Sequence, residues 1–122
     1  MRESLFVQGR GFPHTRGRRF VLSEYGGYNL LVSDHVWQFD KVFGYRHFTS
    51  RTRLLDAYRS LVEQQLKLLI DKGLSTAVYT QTTDVEQETN GIITYDREVV
   101  KFNDEALRHI NEDIWRRSII HR

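Results

Sequence analysis

The sequence predicts an α/β domain built on a parallel strand–helix–strand unit, and three observations predict it. An apolar run, Phe20-Val21-Leu22, lies between Arg19 and the break Ser23-Glu24-Tyr25-Gly26-Gly27, as a buried strand would. Over about 50–72, apolar residues recur at spacings of three and four, the period of an amphipathic helix. A β-rich run at 75–81, Ser-Thr-Ala-Val-Tyr-Thr-Gln, starts within a few residues of that helix's end. Strand, helix and strand in this order join parallel strands by a crossover.

The bulk numbers suit one domain. The chain has 122 residues, 28% charged and 39% hydrophobic, a globular rather than disordered composition. It has no cysteine, which excludes disulfides and thiolate metal sites. No apolar run approaches the roughly 18 residues of a membrane span, so no membrane partner is expected. The stretch from Met1 to Gly9 has no signal-peptide h-region, and the compartment stays open. Net charge is only +2, but Arg2, Arg10, Arg16, Arg18 and Arg19 face Glu3 alone in the first twenty residues. Such an arm can touch phosphates or be a solvated, partly disordered leader. The second reading is the simpler, and nucleic acid is not expected as a partner. The chain thus divides into a basic leader at 1–18, a domain at 19–117 and a tail at 118–122.

Taken in order, residues 1–18 hold Gly9, Gly11, Pro13 and Gly17 and read as loop. The first strand covers about 19–23. Residues 25–48 follow, rich in glycine and aromatics (Tyr25, Tyr28, Trp37, Phe39, Phe43, Tyr45, Phe48), a long connection of the kind that carries function. The helix at about 50–72 starts at an N-cap supplied by Thr49 or Ser50. Its apolar face is Leu55, Tyr58, Val62, Leu66 and Leu69, widened by Leu54, Leu61 and Leu68. Gly73 can take the left-handed conformation that ends it. After the strand at 75–81 comes a polar loop with Asp84, Glu86, Glu88 and Asn90-Gly91, then Ile92-Ile93-Thr94-Tyr95. Asn90-Gly91 also allows a small hairpin over 85–95. A second helix at about 103–116, capped by Asn103 or Asp104, buries Leu107, Ile110 and Ile114.

Glu24 is the residue of most interest. A carboxylate at the C-terminal end of a buried strand sits where α/β enzymes place their chemistry, and the glycines after it permit close approach. A plain surface glutamate at a strand end is the competing reading. His35 and Trp37, one residue apart, can face one side of an extended loop; alternatively Trp37 anchors the loop and His35 is solvated. Tyr79 and Gln81 share a face by strand alternation, with the packing of Tyr79 on the helix as the alternative. The acidic spacing of Asp84, Glu86 and Glu88 fits no dedicated calcium loop, and the five histidines show no zinc-like spacing, so no metal is expected. Gly9-Arg10-Gly11 falls short of a dinucleotide fingerprint, and no cofactor is expected.

Several segments together carry a resemblance: 21–27 (Val-Leu-Ser-Glu-Tyr-Gly-Gly), 35–38 (His-Val-Trp-Gln), 43–46 (Phe-Gly-Tyr-Arg), 73–86 (Gly-Leu-Ser-Thr-Ala-Val-Tyr-Thr-Gln-Thr-Thr-Asp-Val-Glu) and 90–97 (Asn-Gly-Ile-Ile-Thr-Tyr-Asp-Arg). They resemble the C-terminal end of the catalytic barrel of glycoside hydrolase family two, the β-galactosidase family, over about residues 19–112. The resemblance implies a partial (β/α)8 TIM barrel: strand 7 at 19–23, helix 7 at 50–72, strand 8 at 75–81 and helix 8 at 103–116. It implies that Glu24 is the nucleophile of a retaining glycosidase, with His35, Trp37, Tyr79 and Gln81 near a carbohydrate substrate. The family's acid/base glutamate, in an Asn-Glu pair ending the fourth strand, has no counterpart; Asn111-Glu112 falls in the last helix. Retaining hydrolysis needs two carboxyls about 5–5.5 Å apart, and a whole barrel needs about 250 residues. The isolated chain is therefore expected to be inactive and to cover its edges by self-association or with the missing barrel portion. A carbohydrate-binding or degenerate module that has lost catalysis is the alternative.

Overall fold

A computed structural model describes residues 7–10, 20–37 and 46–120, which form a mixed α/β arrangement. Strand β2 (Phe20–Gly26) runs parallel to β5 (Leu74–Thr80), and the helical rod between them makes the predicted crossover. β2 is longer than the apolar run suggests, because it continues through Glu24 and Tyr25 to Gly26. The sheet order is β1-β2-β5, with β1 (Val7–Arg10) antiparallel on the outer edge of β2. The leader, expected to be loop, thus contributes a strand; the rest of 1–18 lies outside the described residues. Pairing satisfies backbone groups that an open edge of β2 would leave to water. Between 25 and 48, a second sheet pairs β3 (Tyr28–Leu30) in parallel with β4 (Arg46–Phe48). Phe39, Phe43 and Tyr45 lie outside the described residues.

The rod is α1 (Arg51–Leu61), a π-helical segment (Val62–Leu66) and α2 (Lys67–Asp71), with right-handed helical backbone at both junctions. Ser50 is the N-cap, its Oγ accepting from the Arg53 N–H at 3.2 Å. Gly73 ends the rod at φ +104°, a conformation that disfavours any side chain. The buried positions are Leu54, Tyr58, Leu61, Val62, Leu66 and Ile70. A π segment takes more residues per turn than an α-helix. Beyond Val62 the inward positions therefore step by four, to Leu66 and Ile70. Leu68, expected to widen the apolar face, is left 54% exposed.

Helix α3 (Asp104–Ile120) is capped by Asn103, whose Oδ1 accepts from the Ala106 N–H at 3.0 Å. It runs beyond the expected end and takes in most of the predicted tail. No glycine or proline interrupts that stretch, and Arg117 pairs with both carboxylate oxygens of Asp71 at 2.8 and 2.6 Å. The helices cover one face of the sheet. Leu22, Tyr25, Leu74 and the helical residues above form the core with Phe102 and Ile110. The opposite face is less covered, and Val78 on β5 is 52% exposed there.

The loop from 81 to 103 is ordered by isolated bridges rather than strands. The hairpin-like contact joins Val85 and Glu88 through reciprocal backbone bonds of 3.0 and 2.8 Å, so its turn lies at 86–87 and not at Asn90-Gly91. Instead, Asn90 and Ile92 bracket Gln81 with backbone bonds of 3.1 and 2.9 Å. Gly91 is dictated by close approach: a Cβ there would stand 2.3 Å from the Asp84 nitrogen and 2.4 Å from the Thr83 carbonyl carbon.

Candidate functional site

Both parallel strands end at the same side, β2 at Gly26 and β5 at Thr80, and these residues are register partners. The segments that follow interlock. The Gly27 N–H donates to the Thr80 carbonyl at 3.1 Å, and the Leu30 N–H to the Thr89 carbonyl at 3.1 Å. Buried Asn29 accepts from the Thr89 hydroxyl at 3.1 Å and donates to the Gly27 and Arg46 carbonyls at 3.2 Å each. Further out, His35 Nδ1 stands 2.7 Å from Asp96 Oδ2. The Trp37 ring meets Tyr95 edge-on, with centroids 5.7 Å apart and an interplanar angle of 86°. Ligands of α/β sheets bind in crevices outside the carboxyl ends of parallel strands, the position these two segments frame.

Glu24 lies two residues before the end of β2, opposite Gln8 of β1 in register. The β2–β5 register shifts between Leu22 and Tyr25. That irregularity lets Leu22 and Tyr25 both turn to the helix side, where both are buried. Alternation from Tyr25 puts the half-buried Glu24 on the opposite face. Its carboxylate has no hydrogen bond or ion pair among the described residues.

The other predicted residues divide between two places. His35 and Trp37 are brought together against the turn at 94–98. Trp37 is 59% exposed, so it does not anchor its loop in the core. Tyr79 sits on the helix side, edge-on to both Tyr25 and Tyr58 at centroid distances of 5.3 Å. Burial raises the pKa of its hydroxyl, and that of Tyr58, whose hydroxyl donates to Asn111 Oδ1 at 2.5 Å. Tyr79 and Gln81 do not share a face as predicted, because β5 ends at Thr80. The Gln81 amide instead turns into the loop, donating to Asn90 Oδ1 at 2.7 Å and Glu88 Oε2 at 3.1 Å.

A buried ion pair props the loop after β5. Lys101, with 0% exposure, donates from Nζ to Asp84 Oδ1 at 2.7 Å and to the Thr89 carbonyl at 2.8 Å. Asp84 Oδ1 also accepts from the Gly91 N–H at 2.8 Å, while its Oδ2 is buried with no hydrogen-bond partner. Loss of water on burial raises the Asp84 pKa and lowers that of Lys101, and their mutual attraction opposes both shifts. Asp96 has the reverse bias. The Thr94 hydroxyl first, then His35 and the Glu98 N–H, hold its carboxyl down to about 2 despite some desolvation.

Sequence reasoning assigned no role to Lys101, Tyr95 or Asp96. The signal for Lys101 is a single cation inside Val99-Val100-Lys101-Phe102, where an apolar run would otherwise continue. Tyr95 and Asp96 gave no local signal, since their partners lie about sixty residues earlier. Among the described residues, no group of three or more histidine and carboxylate side chains could hold a metal ion. No described helix is long and apolar enough to cross a membrane. No protein-family model matches the chain, and no curated protein matches it in sequence.

Proposed function

We propose that this chain is the nucleophile-bearing segment of a retaining glycoside hydrolase of the β-galactosidase type, with Glu24 as the nucleophile. The finer architecture in this proposal is the last two βα units of a (β/α)8 barrel. β2, the rod, β5 and α3 stand for strand 7, helix 7, strand 8 and helix 8, and β1 occupies the β2 edge that a sixth strand would otherwise take. The observation that carries the reading is the position of Glu24. It is a half-buried carboxylate with no described partner, turned away from the helices, two residues from the carboxyl end of a parallel strand. Barrel enzymes place catalytic residues at that end. An exposed indole beside a histidine at the same end suits a pyranose, whose C–H face stacks on aromatic rings and whose hydroxyls need polar partners.

In this mechanism Glu24 attacks the anomeric carbon, the glycosidic oxygen leaves with the electron pair, and a glycosyl ester forms. Ordinary glycosides need a second carboxyl about 5–5.5 Å away to protonate the leaving oxygen. The chain supplies no counterpart of that group, so on its own it hydrolyses such glycosides negligibly. A fluoride leaving group removes the need for the acid. Incubation with 2-deoxy-2-fluoro-β-galactosyl fluoride, followed by peptide mass spectrometry, should find one fluorosugar on Glu24 and none in Glu24→Gln. Labelling at another carboxylate, or no labelling, would remove Glu24 as nucleophile. Sugar binding without labelling would favour the second reading, a carbohydrate-binding module without catalysis, which the exposed Trp37 supports.

A further inference from the structure

We propose that Asp96 is a positioning residue that fixes His35 as a hydrogen-bond acceptor for a pyranoside hydroxyl beside the Trp37 ring. The inference rests on the carbohydrate reading above and deepens it. Oδ1 of Asp96 is occupied, accepting from the Thr94 hydroxyl at 2.7 Å and from the Glu98 N–H at 3.1 Å. Thr94 is itself fixed, because its Oγ accepts from the Val99 N–H at 3.1 Å. Oδ2 is thereby aimed at His35 Nδ1, 2.7 Å away. A carboxylate held ionised at neutral pH only accepts, so the proton on this bond belongs to Nδ1.

The neutral form of the His35 ring that this contact selects carries its hydrogen on Nδ1 and offers a lone pair at Nε2. No described residue bonds Nε2, and it is not buried. An unbonded acceptor suits a hydroxyl donor, and the same two loops that bring His35 to Asp96 also bring Trp37 edge-on to Tyr95. The backbone next to each partner is also unusual. Asp34 has φ +68° and Arg97 has φ +62°, left-handed conformations uncommon outside glycine. Both loops adopt these conformations beside the two residues that meet.

The test uses the full chain, labelled with nitrogen-15, and methyl β-D-galactopyranoside as probe. Imidazole nitrogen spectra of the free wild-type chain should show His35 as the Nδ1–H tautomer, and an Nε2–H tautomer would overturn the proposal. Titration with the probe should shift the His35 and Trp37 ring signals saturably. Asp96→Asn should weaken binding about tenfold, the scale of one charge-assisted hydrogen bond, and redistribute the tautomers while leaving core amides such as Leu22 and Leu54 in place. Should Asp96→Asn lose the fold, His35→Phe serves instead, since it keeps the ring, frees the Asp96 turn from no other bond, and should cost similar affinity. Unchanged affinity in the folded variants, or no sugar-induced shift at His35 and Trp37, would overturn the proposal. Glu24 labelling alongside such a failure would leave the glycosidase reading standing. Tautomer and binding as expected without Glu24 labelling would keep the positioning role and remove the catalytic reading.

Discussion

Leu54 on the helix side and Lys101 on the loop side are equally buried, each with 0% exposure, yet they hold their regions by opposite means. Leu54 belongs to an apolar cluster with Leu22, Val62 and Tyr58, where contact is nondirectional and many side chains share it. Lys101 belongs to a network in which each atom needs a particular partner: Asp84 Oδ1, the Thr89 carbonyl, and through them Gly91 and Asn29. Apolar packing tolerates small rearrangement, whereas a buried charge without its partner is strongly unfavourable. Directional bonds can select a histidine tautomer and orient a carboxylate, and apolar contact alone does not.

The largest effect should come from breaking that network on one side. Lys101→Met leaves Asp84 buried and unpaired and should cost about 3–5 kcal/mol in denaturant unfolding. The double variant Lys101→Met, Asp84→Leu should recover a large part of the loss, because the stranded charge is gone. If the double variant is no better than the single, the pair is not the source of the penalty.

Next in size is Leu54→Ala, a cavity at the centre of the apolar side, with an expected cost of about 2–5 kcal/mol. It should lower global stability while the His35–Asp96 contact, followed by His35 ring signals, persists under native conditions. Loss of that contact together with the core would erase the distinction between the regions.

The smallest effect should appear on acidification to about pH 2. The Asp96 carboxyl is held below its ordinary 3.8, at about 2, so its contribution is full above pH 3.8 and is lost as pH falls through about 2. Asp84 is raised and has the opposite sign: its folded form takes up a proton more readily than the unfolded chain, so it favours the fold as pH falls from its raised value toward the ordinary 3.8, and changes no further below that. The two slopes have opposite signs and follow one another in a melting temperature, that of Asp84 above pH 3.8 and that of Asp96 below it. Ring signals of Trp37 and Tyr95 should therefore change before those of Tyr58 and Tyr79, which have no titrating partner in acid. Simultaneous change would refute separate control of the two regions.

Much of the helix side was legible in the sequence. Period and caps located the rod between Thr49 or Ser50 and Gly73, β-rich composition located β5, and Asn103 or Asp104 marked the start of α3; the structure chose Ser50 and Asn103 as the caps. The apolar face was displaced where the π segment intervened, since hydrophobic period assumes uniform helical pitch. Glu24 was legible as a strand-end carboxylate, although β2 extends past it to Gly26. His35 and Trp37 were singled out by type and spacing, but their partners Asp96 and Tyr95 were not. The residues that order the loop end meet across long stretches of sequence, and pattern reading sees only near neighbours.

The sequence by itself determined the mixed α/β class, the strand–helix–strand order, the extent of the rod and the start of α3, because these follow from local period, capping and glycine conformation. Only the tertiary structure decided that Tyr79 belongs to the core, that β1 pairs with β2, and that Lys101 is a buried ion-pair partner rather than a surface charge. It alone decided which oxygen of Asp96 reaches His35. Those outcomes depend on burial and on hydrogen bonds between distant segments, whose energies exist only once the chain has brought them together.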